Sequence, residues 1–172
     1  ARGDGGTAGS GGSEVEGDGW SSPTGTGWRA CGGGGSRRRA MADDGSIVSC
    51  GYEGSGQDWD THTGPACSAT AGGGNHSLAL AHDGSIVSWG SDFSGQVSDT
   101  PTGTGFTAIA GGWSHSLALA DDGTIVSWGY DAFGQVSGTP TGTGFTAIAG
   151  GGNPSLALAH DGPTVSSGSD SS

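Results

Sequence analysis

Gly105-Phe-Thr-Ala-Ile-Ala-Gly-Gly-Trp-Ser-His-Ser-Leu-Ala-Leu-Ala-Asp-Asp-Gly-Thr-Ile-Val-Ser-Trp-Gly129 recurs along the chain at a spacing of 39 residues. Moved forward by 39, the stretch matches residues 144–168 at 18 of 25 positions without a gap. Moved back by 39, it matches residues 66–90. Moved back by 78, it still matches residues 27–51, at Ala30, Ala40, Ala42, Asp43-Asp44-Gly45 and Ile47-Val48-Ser49 among others. The spacer Pro-Thr-Gly-Thr-Gly occurs at 23–27, 101–105 and 140–144. A fixed period of this length is the signature of a solenoid, propeller or array. The chain divides into a degenerate leading part-repeat (1–26), a degraded repeat 1 (27–65), repeat 2 (66–104), repeat 3 (105–143) and a truncated repeat 4 (144–172). Such arrays mostly present surfaces and seldom house chemistry.

Repeat 3 is the best preserved. Residues 106–112 predict a short strand ending at a glycine pair. Residues 114–120 alternate, with Leu117 and Leu119 on one face and Ser116 and Ala118 on the other. Asp122-Gly123 between apolar runs predicts a tight type I′ hairpin, and 124–129 is the returning strand. Gly134-Gln135-Val136 is a candidate short outer strand. No window has a helical period. Each repeat is thus a three- or four-stranded antiparallel meander that cannot bury both faces alone. Stacked neighbours of this size predict an all-β fold of β-propeller-type blades, in an incomplete or open array.

The totals set limits on function. Only 31% of the 172 residues are hydrophobic and 40 are glycine, but the apolar residues sit at recurring positions. Net charge is −12, lysine is absent, and all five arginines (Arg2, Arg29, Arg37, Arg38, Arg39) precede residue 40. That balance argues against nucleic-acid binding, because it repels phosphate backbones. No stretch approaches the ~18 apolar residues of a membrane span, so no membrane insertion is expected. The acidic, lysine-free composition suits either a high-salt cytoplasm or secretion in a salt-loving organism, and a secreted or cell-surface setting is the favoured expectation. The chain starts at Ala1 without a signal-peptide pattern, and reads as a mature or partial chain.

Residue types that carry chemistry are explained by the repeat. Cys31, Cys50 and Cys67 occupy the slots of Ile109, Trp128 and Phe106, so they read as small buried hydrophobes. Asp44, Asp83, Asp122 and Asp161 each precede a hairpin glycine, which turn chemistry explains. Trp89 and Trp128 share one slot and read as packing residues. His76 matches His115, but that slot holds Arg37 and Pro154 elsewhere, so no ring of metal ligands forms. Pro163 falls inside the last returning strand, where it removes a ladder donor. No nucleophile elbow, phosphate loop or paired carboxylate occurs. The expectation is no enzyme, no cofactor and no metal.

His-Ser-Leu-Ala-Leu-Ala-x-Asp-Gly-(Ser/Thr)-Ile-Val-Ser-Trp-Gly (76–90, 115–129), followed by Gly-Gln-Val (95–97, 134–136), resembles the regulator of chromosome condensation repeat. The form is most similar to the bacterial short-repeat branch that includes propeller-type beta-lactamase inhibitors. The resemblance implies a propeller, usually of seven blades, that acts by protein–protein contact through loops on one face. It implies neither cofactor nor catalysis. This chain has too few copies for seven blades, and Arg37, Arg38 and Arg39 replace His-Ser-Leu in repeat 1.

In inhibitor-like relatives, contacts lie between the glycine pair and the His-Ser-Leu strand, and after Trp-Gly. Here those positions nominate Asn75, Trp113 and Ser114, then Tyr52, Glu53, Asp92, Phe93, Tyr130, Asp131 and Phe133. The internal copies differ most at these loops, as a binding face requires, although drift alone also produces variable loops. The leading reading is a non-enzymatic interaction module with a protein partner, in its narrower form a secreted enzyme that it binds or inhibits. The alternatives are a structural segment of a secreted or cell-surface protein, and a fragment of a larger propeller with no function of its own. Open blade edges would also allow self-association.

Overall fold

The computed structural model describes residues 28–34, 37–51 and 66–168. The leading part-repeat at 1–26 and the nominated Tyr52 and Glu53 lie outside them. Among the described residues, four three-stranded antiparallel sheets follow one another. They are β1 (Trp28–Gly34), β2 (Arg37–Ala42) and β3 (Ile47–Gly51); β4 (Cys67–Gly72), β5 (His76–Ala81) and β6 (Ile86–Gly90); β7 (Phe106–Gly111), β8 (His115–Ala120) and β9 (Ile125–Gly129); β10 (Phe145–Gly150), β11 (Ser155–Ala159) and β12 (Thr164–Ser167). Each sheet is a plain meander with its second strand in the middle.

Alternation along each strand builds two apolar faces instead of one. In the third sheet, Leu117, Leu119, Ala110 and Ile125 face forward and pack on Ala157, with Phe145 and Ile148 beside it. Ala118 and Trp128 face backward and pack on Leu78, Leu80 and Ile86 of the second sheet. Between the first and second sheets the core is Met41, Ile47, Cys67, Ala79 and Trp89. Burial there raises the Cys67 thiol pKa. Every core is therefore shared by two neighbours, so no sheet completes its packing alone.

The glycine pair marks where the sheets converge. A Cβ at Gly111 would lie 2.6 Å from the carbonyl carbon and oxygen of Gly72, and one at Gly150 would collide with the Gly111 oxygen. Only bare backbone fits where the first strands of successive sheets meet. A β-bulge interrupts the first strand of every sheet, between Phe106 and Ala108 in the third. The extra residue there, Thr107, donates its hydroxyl to the Leu119 carbonyl at 3.2 Å.

Three local expectations are corrected. The Asp-Gly turns are not type I′, since no non-glycine residue among the described ones has positive φ. Gly123 N–H donates to the Ala120 carbonyl (3.0 Å) and Ala120 N–H to the Thr124 carbonyl (2.9 Å), enclosing the loop Asp121-Asp122-Gly123. Gly123 alone is left-handed, at φ +81°. This is a type I turn with a glycine bulge, the three-residue solution to the same strand twist. Asp122 Oδ1 accepts the N–H (2.9 Å) and hydroxyl (2.7 Å) of Thr124. The Gly123 carbonyl, swung outward, accepts Phe145 N–H of the next sheet at 3.1 Å. The turn thereby joins two sheets.

Pro163 takes the Thr124 slot, whose N–H serves the aspartate turn and not the ladder. Ala159 N–H still reaches the Pro163 carbonyl at 3.0 Å. The proline therefore deprives Asp161 of a turn partner and leaves the ladder intact. Gly134-Gln135-Val136 forms no strand and lies within a chain of turns.

Candidate protein-interaction face

The nominated loops lie at the end of the sheets opposite the Asp-Gly hairpins. The loop between β7 and β8 is closed by Gly112 N–H donating to the His115 carbonyl at 2.8 Å. The segment leaving β9 joins it, as Tyr130 N–H donates to the Ser114 carbonyl at 2.9 Å. Ser91 N–H and the Asn75 carbonyl repeat this bond in the second sheet at 2.8 Å. Ser114 and Asn75 thus contribute backbone atoms that hold loops together.

Trp113 crosses between sheets. Its N–H is shared by the Gly151 and Gly152 carbonyls, and its carbonyl accepts Gly74 N–H at 2.9 Å. A Cβ at Gly74 would sit 3.0 Å from Trp113 Cδ2, so the indole lies over a bare glycine. It remains 58% exposed. Phe93 is 94% exposed, and Tyr130 and Phe133 present about a third of their surface. Tyr130 and Phe133 meet edge to face at 6.0 Å and 65°.

Asp92 and Asp131 have structural work inside these loops. Asp131 Oδ1 accepts Val136 N–H (2.7 Å), Ser137 N–H (2.8 Å) and the Ser137 hydroxyl (3.2 Å). Asp92 repeats the set with Val97 N–H, Ser98 N–H and the Ser98 hydroxyl. These backbone bonds, to Ser98 and Ser137 first, hold both carboxyls below the usual carboxylate range.

Sequence reasoning missed the glutamines. Gln96 and Gln135 are buried, and their Oε1 atoms accept Ser94 N–H (2.7 Å) and Phe133 N–H (2.9 Å). The Gln96 carbonyl also accepts the Trp128 indole N–H of the following sheet at 3.0 Å. Gly-Gln-Val is thus a clamp that fixes the aromatic loops, and its repetition beside Trp-Gly was the available signal. A second set was also missed. His76 Nε2 lies 2.7 Å from Ser116 Oγ, and His115 Nε2 lies 2.7 Å from Ser155 Oγ. All four side chains are buried, and each pair spans two sheets. The signal was a histidine and a serine one repeat plus one residue apart.

Among the described residues, no three His, Cys, Asp or Glu side chains cluster as a metal site would require. No helix among the described residues is long and apolar enough to cross a membrane. The ordered chemistry at this end of the molecule is aromatic surface on a clamped backbone.

Residues 106–135 match the model of the regulator of chromosome condensation (RCC1) repeat. No curated protein matches the chain in sequence. Among solved structures it is similar to the CRINKLY WD40 ectodomain of the Arabidopsis thaliana receptor kinase ACR4, with TM-score 0.70, 20% identity, 82% of this chain and 50% of that one. It is similar to the ectodomain of the Physcomitrella patens receptor kinase CR4, with TM-score 0.71, 23% identity, 82% of this chain and 40% of that one. Yeast RCC1 (Prp20), solved with Kap60 bound, gives TM-score 0.70 and 21% identity over 87% of this chain and 46% of that one. The chain thus spans half or less of the length of these structures. At such identities the likeness concerns the fold. The four sheets are propeller-type blades, and their array is open.

Proposed function

We propose that this chain is a non-enzymatic protein-interaction module. Its contact face would be formed by Phe93, Trp113, Tyr130 and Phe133, with Tyr52 and Glu53 as the matching positions in repeat 1. The observation that supports this reading is the exposure of large aromatics on a backbone immobilised by Asp92, Asp131, Gln96 and Gln135. Rings held this way lose little freedom on binding, and buried aromatics supply most of the energy of protein contacts. Yeast RCC1 was solved with a protein, Kap60, bound. A secreted enzyme as partner, in the manner of the inhibitor-like branch, is the narrower form of the proposal and rests on the sequence resemblance. The half-length match also favours these blades being part of a larger propeller.

Photo-crosslinking tests the face. A benzophenone side chain replacing Phe93 or Trp113 should capture a partner protein, and one replacing Asp83 or Asp122 at the opposite end should not. Equal capture from both ends would refute the assignment.

A further inference from the structure

The four Asp-Gly hairpins differ in what holds the aspartate. Asp44 Oδ1 accepts the N–H (2.9 Å) and the hydroxyl (2.7 Å) of Ser46. Asp83 Oδ1 accepts the same pair from Ser85, at 2.9 and 2.6 Å, and Asp122 Oδ1 accepts it from Thr124. These bonds, the hydroxyl's first, hold the three carboxyls below the usual carboxylate range. In the fourth hairpin the residue two places on is Pro163, which has neither an N–H nor a hydroxyl. The turn around it is otherwise the same. Gly162 N–H donates to the Ala159 carbonyl at 3.1 Å, as Gly45, Gly84 and Gly123 do to Ala42, Ala81 and Ala120 at 3.0 Å. Asp161 is exposed, and so are Asp44, Asp83 and Asp122, whose sheets are each followed by another. A following sheet docks on the turn glycine's carbonyl, through the N–H of Cys67, Phe106 or Phe145. The freedom of Asp161 is therefore set by Pro163 and not by a neighbouring sheet.

We propose that Asp161-Gly162 is a modification site at which the chain rearranges its own backbone, converting an aspartyl linkage into an isoaspartyl one. The Gly162 amide nitrogen attacks Asp161 Cγ. The new C–N bond closes a succinimide ring, the bond from Cγ to its hydroxyl breaks, and that hydroxyl leaves with the nitrogen's proton as water. Water then adds to the ring. Opening at the former backbone carbonyl leaves the main chain running through Cβ and Cγ, one methylene longer, and frees the α-carboxylate. The chain and water are the only reactants, so the step balances without another. Two conditions select the position. The carboxyl must be neutral, because a carboxylate has no leaving group, and it must swing from the turn onto the nitrogen. The paired hydrogen bonds oppose both at Asp44, Asp83 and Asp122, since they favour the charged form and fix the side chain. Glycine follows the aspartate in all four turns, and its N–H is bonded in all four, so neither feature chooses among them. The product is a loop too long for the β11–β12 ladder, which begins at Leu158 opposite Thr164.

Ageing the folded chain in mildly acidic heavy-oxygen water reads the reaction, because each ring opening fixes a solvent oxygen in the peptide. Peptide mapping with electron-transfer fragmentation then locates the isoaspartate. Asp161 should convert about tenfold faster than Asp44, Asp83 or Asp122, whose charge-assisted hydrogen bonds must break first. Asp4-Gly5 and Asp18-Gly19 lie outside the described residues and are scored as separate peptides. Pro163→Thr installs the residue that the third sheet has in this slot, and should slow Asp161 to the rate of Asp122. In urea strong enough to unfold the chain, the four sites should react alike. Equal rates at the four turns of the folded chain overturn the proposal. So does a Pro163→Thr chain that converts at Asp161 as fast as the wild type. A preference for Asp161 that survives unfolding overturns it too, because the turn would then have no part in the selection.

Discussion

Removing Ser155 Oγ by Ser155→Ala strips His115 of its partner in the next sheet. Both residues are buried, the contact runs from His115 Nε2 at 2.7 Å, and the other ring nitrogen, Nδ1, has no hydrogen-bond partner. The imidazole is then buried with nothing to bond, at a cost of about 1–3 kcal/mol. His115→Ala removes the same bond and also empties space against Gly112, where the ring now packs, for about 2–4 kcal/mol. Combining the two should recover about 1 kcal/mol of coupling, because the second change removes a group already orphaned.

Acid acts on the same contact. Burial holds the His115 pKa below its ordinary 6.5. The packed strands β7 to β11 contain no Asp, Glu, Lys or Arg, so these strands bring no carboxylate to stabilise an imidazolium, and burial is what lowers the pKa. The unfolded chain therefore binds this proton more readily than the folded one. The stability His115 lends is full above pH ~6.5 and is lost as pH falls toward the lowered folded value, with a slope approaching about 1.4 kcal/mol per pH unit. His115→Gln keeps an amide near Ser155 and cannot titrate. Urea unfolding between about pH 7.5 and pH 5 should show a shallower acid loss for this variant than for the wild type. Parallel pH profiles, or a Ser155→Ala cost under about 0.5 kcal/mol, would refute the reasoning.

Ser167→Trp should stabilise the chain by about 1–2 kcal/mol: it restores the slot of Trp89 and Trp128 and offers an indole N–H to the Gln135 carbonyl, as Trp128 does for Gln96. A lower melting temperature would mean the slot has closed over Ser167. Gly111→Ala should destabilise by about 2–4 kcal/mol, since its Cβ would meet the Gly72 backbone at 2.6 Å; an unchanged urea midpoint would show that the sheets are not in contact there. The turns held by Asp92 and Asp131 should open as pH falls below about 4, because carboxylates with lowered folded values lend stability above the unfolded pKa and lose it on protonation. Hydrogen exchange at Val97, Ser98, Val136 and Ser137 would rise first, and protection persisting at pH ~2 would contradict the assignment.

The sequence by itself determined the repeat, the strand order and the hairpin positions. A 39-residue period carrying alternation of two leaves little else for the chain to do. It also located the loops bearing Phe93, Trp113, Tyr130 and Phe133. The turn type was not legible, because Asp-Gly fits both a two-residue and a three-residue loop, and the choice depends on which register lets the Gly123 carbonyl reach Phe145. Gln96 and Gln135 looked like strand residues; their role as clamps depends on burial, which periodicity does not report. The His–Ser pairs lie 40 residues apart, and only stacking of one sheet on the next brings each pair together. Local propensity acts within a repeat, whereas those contacts follow from what lies on the far side of a sheet.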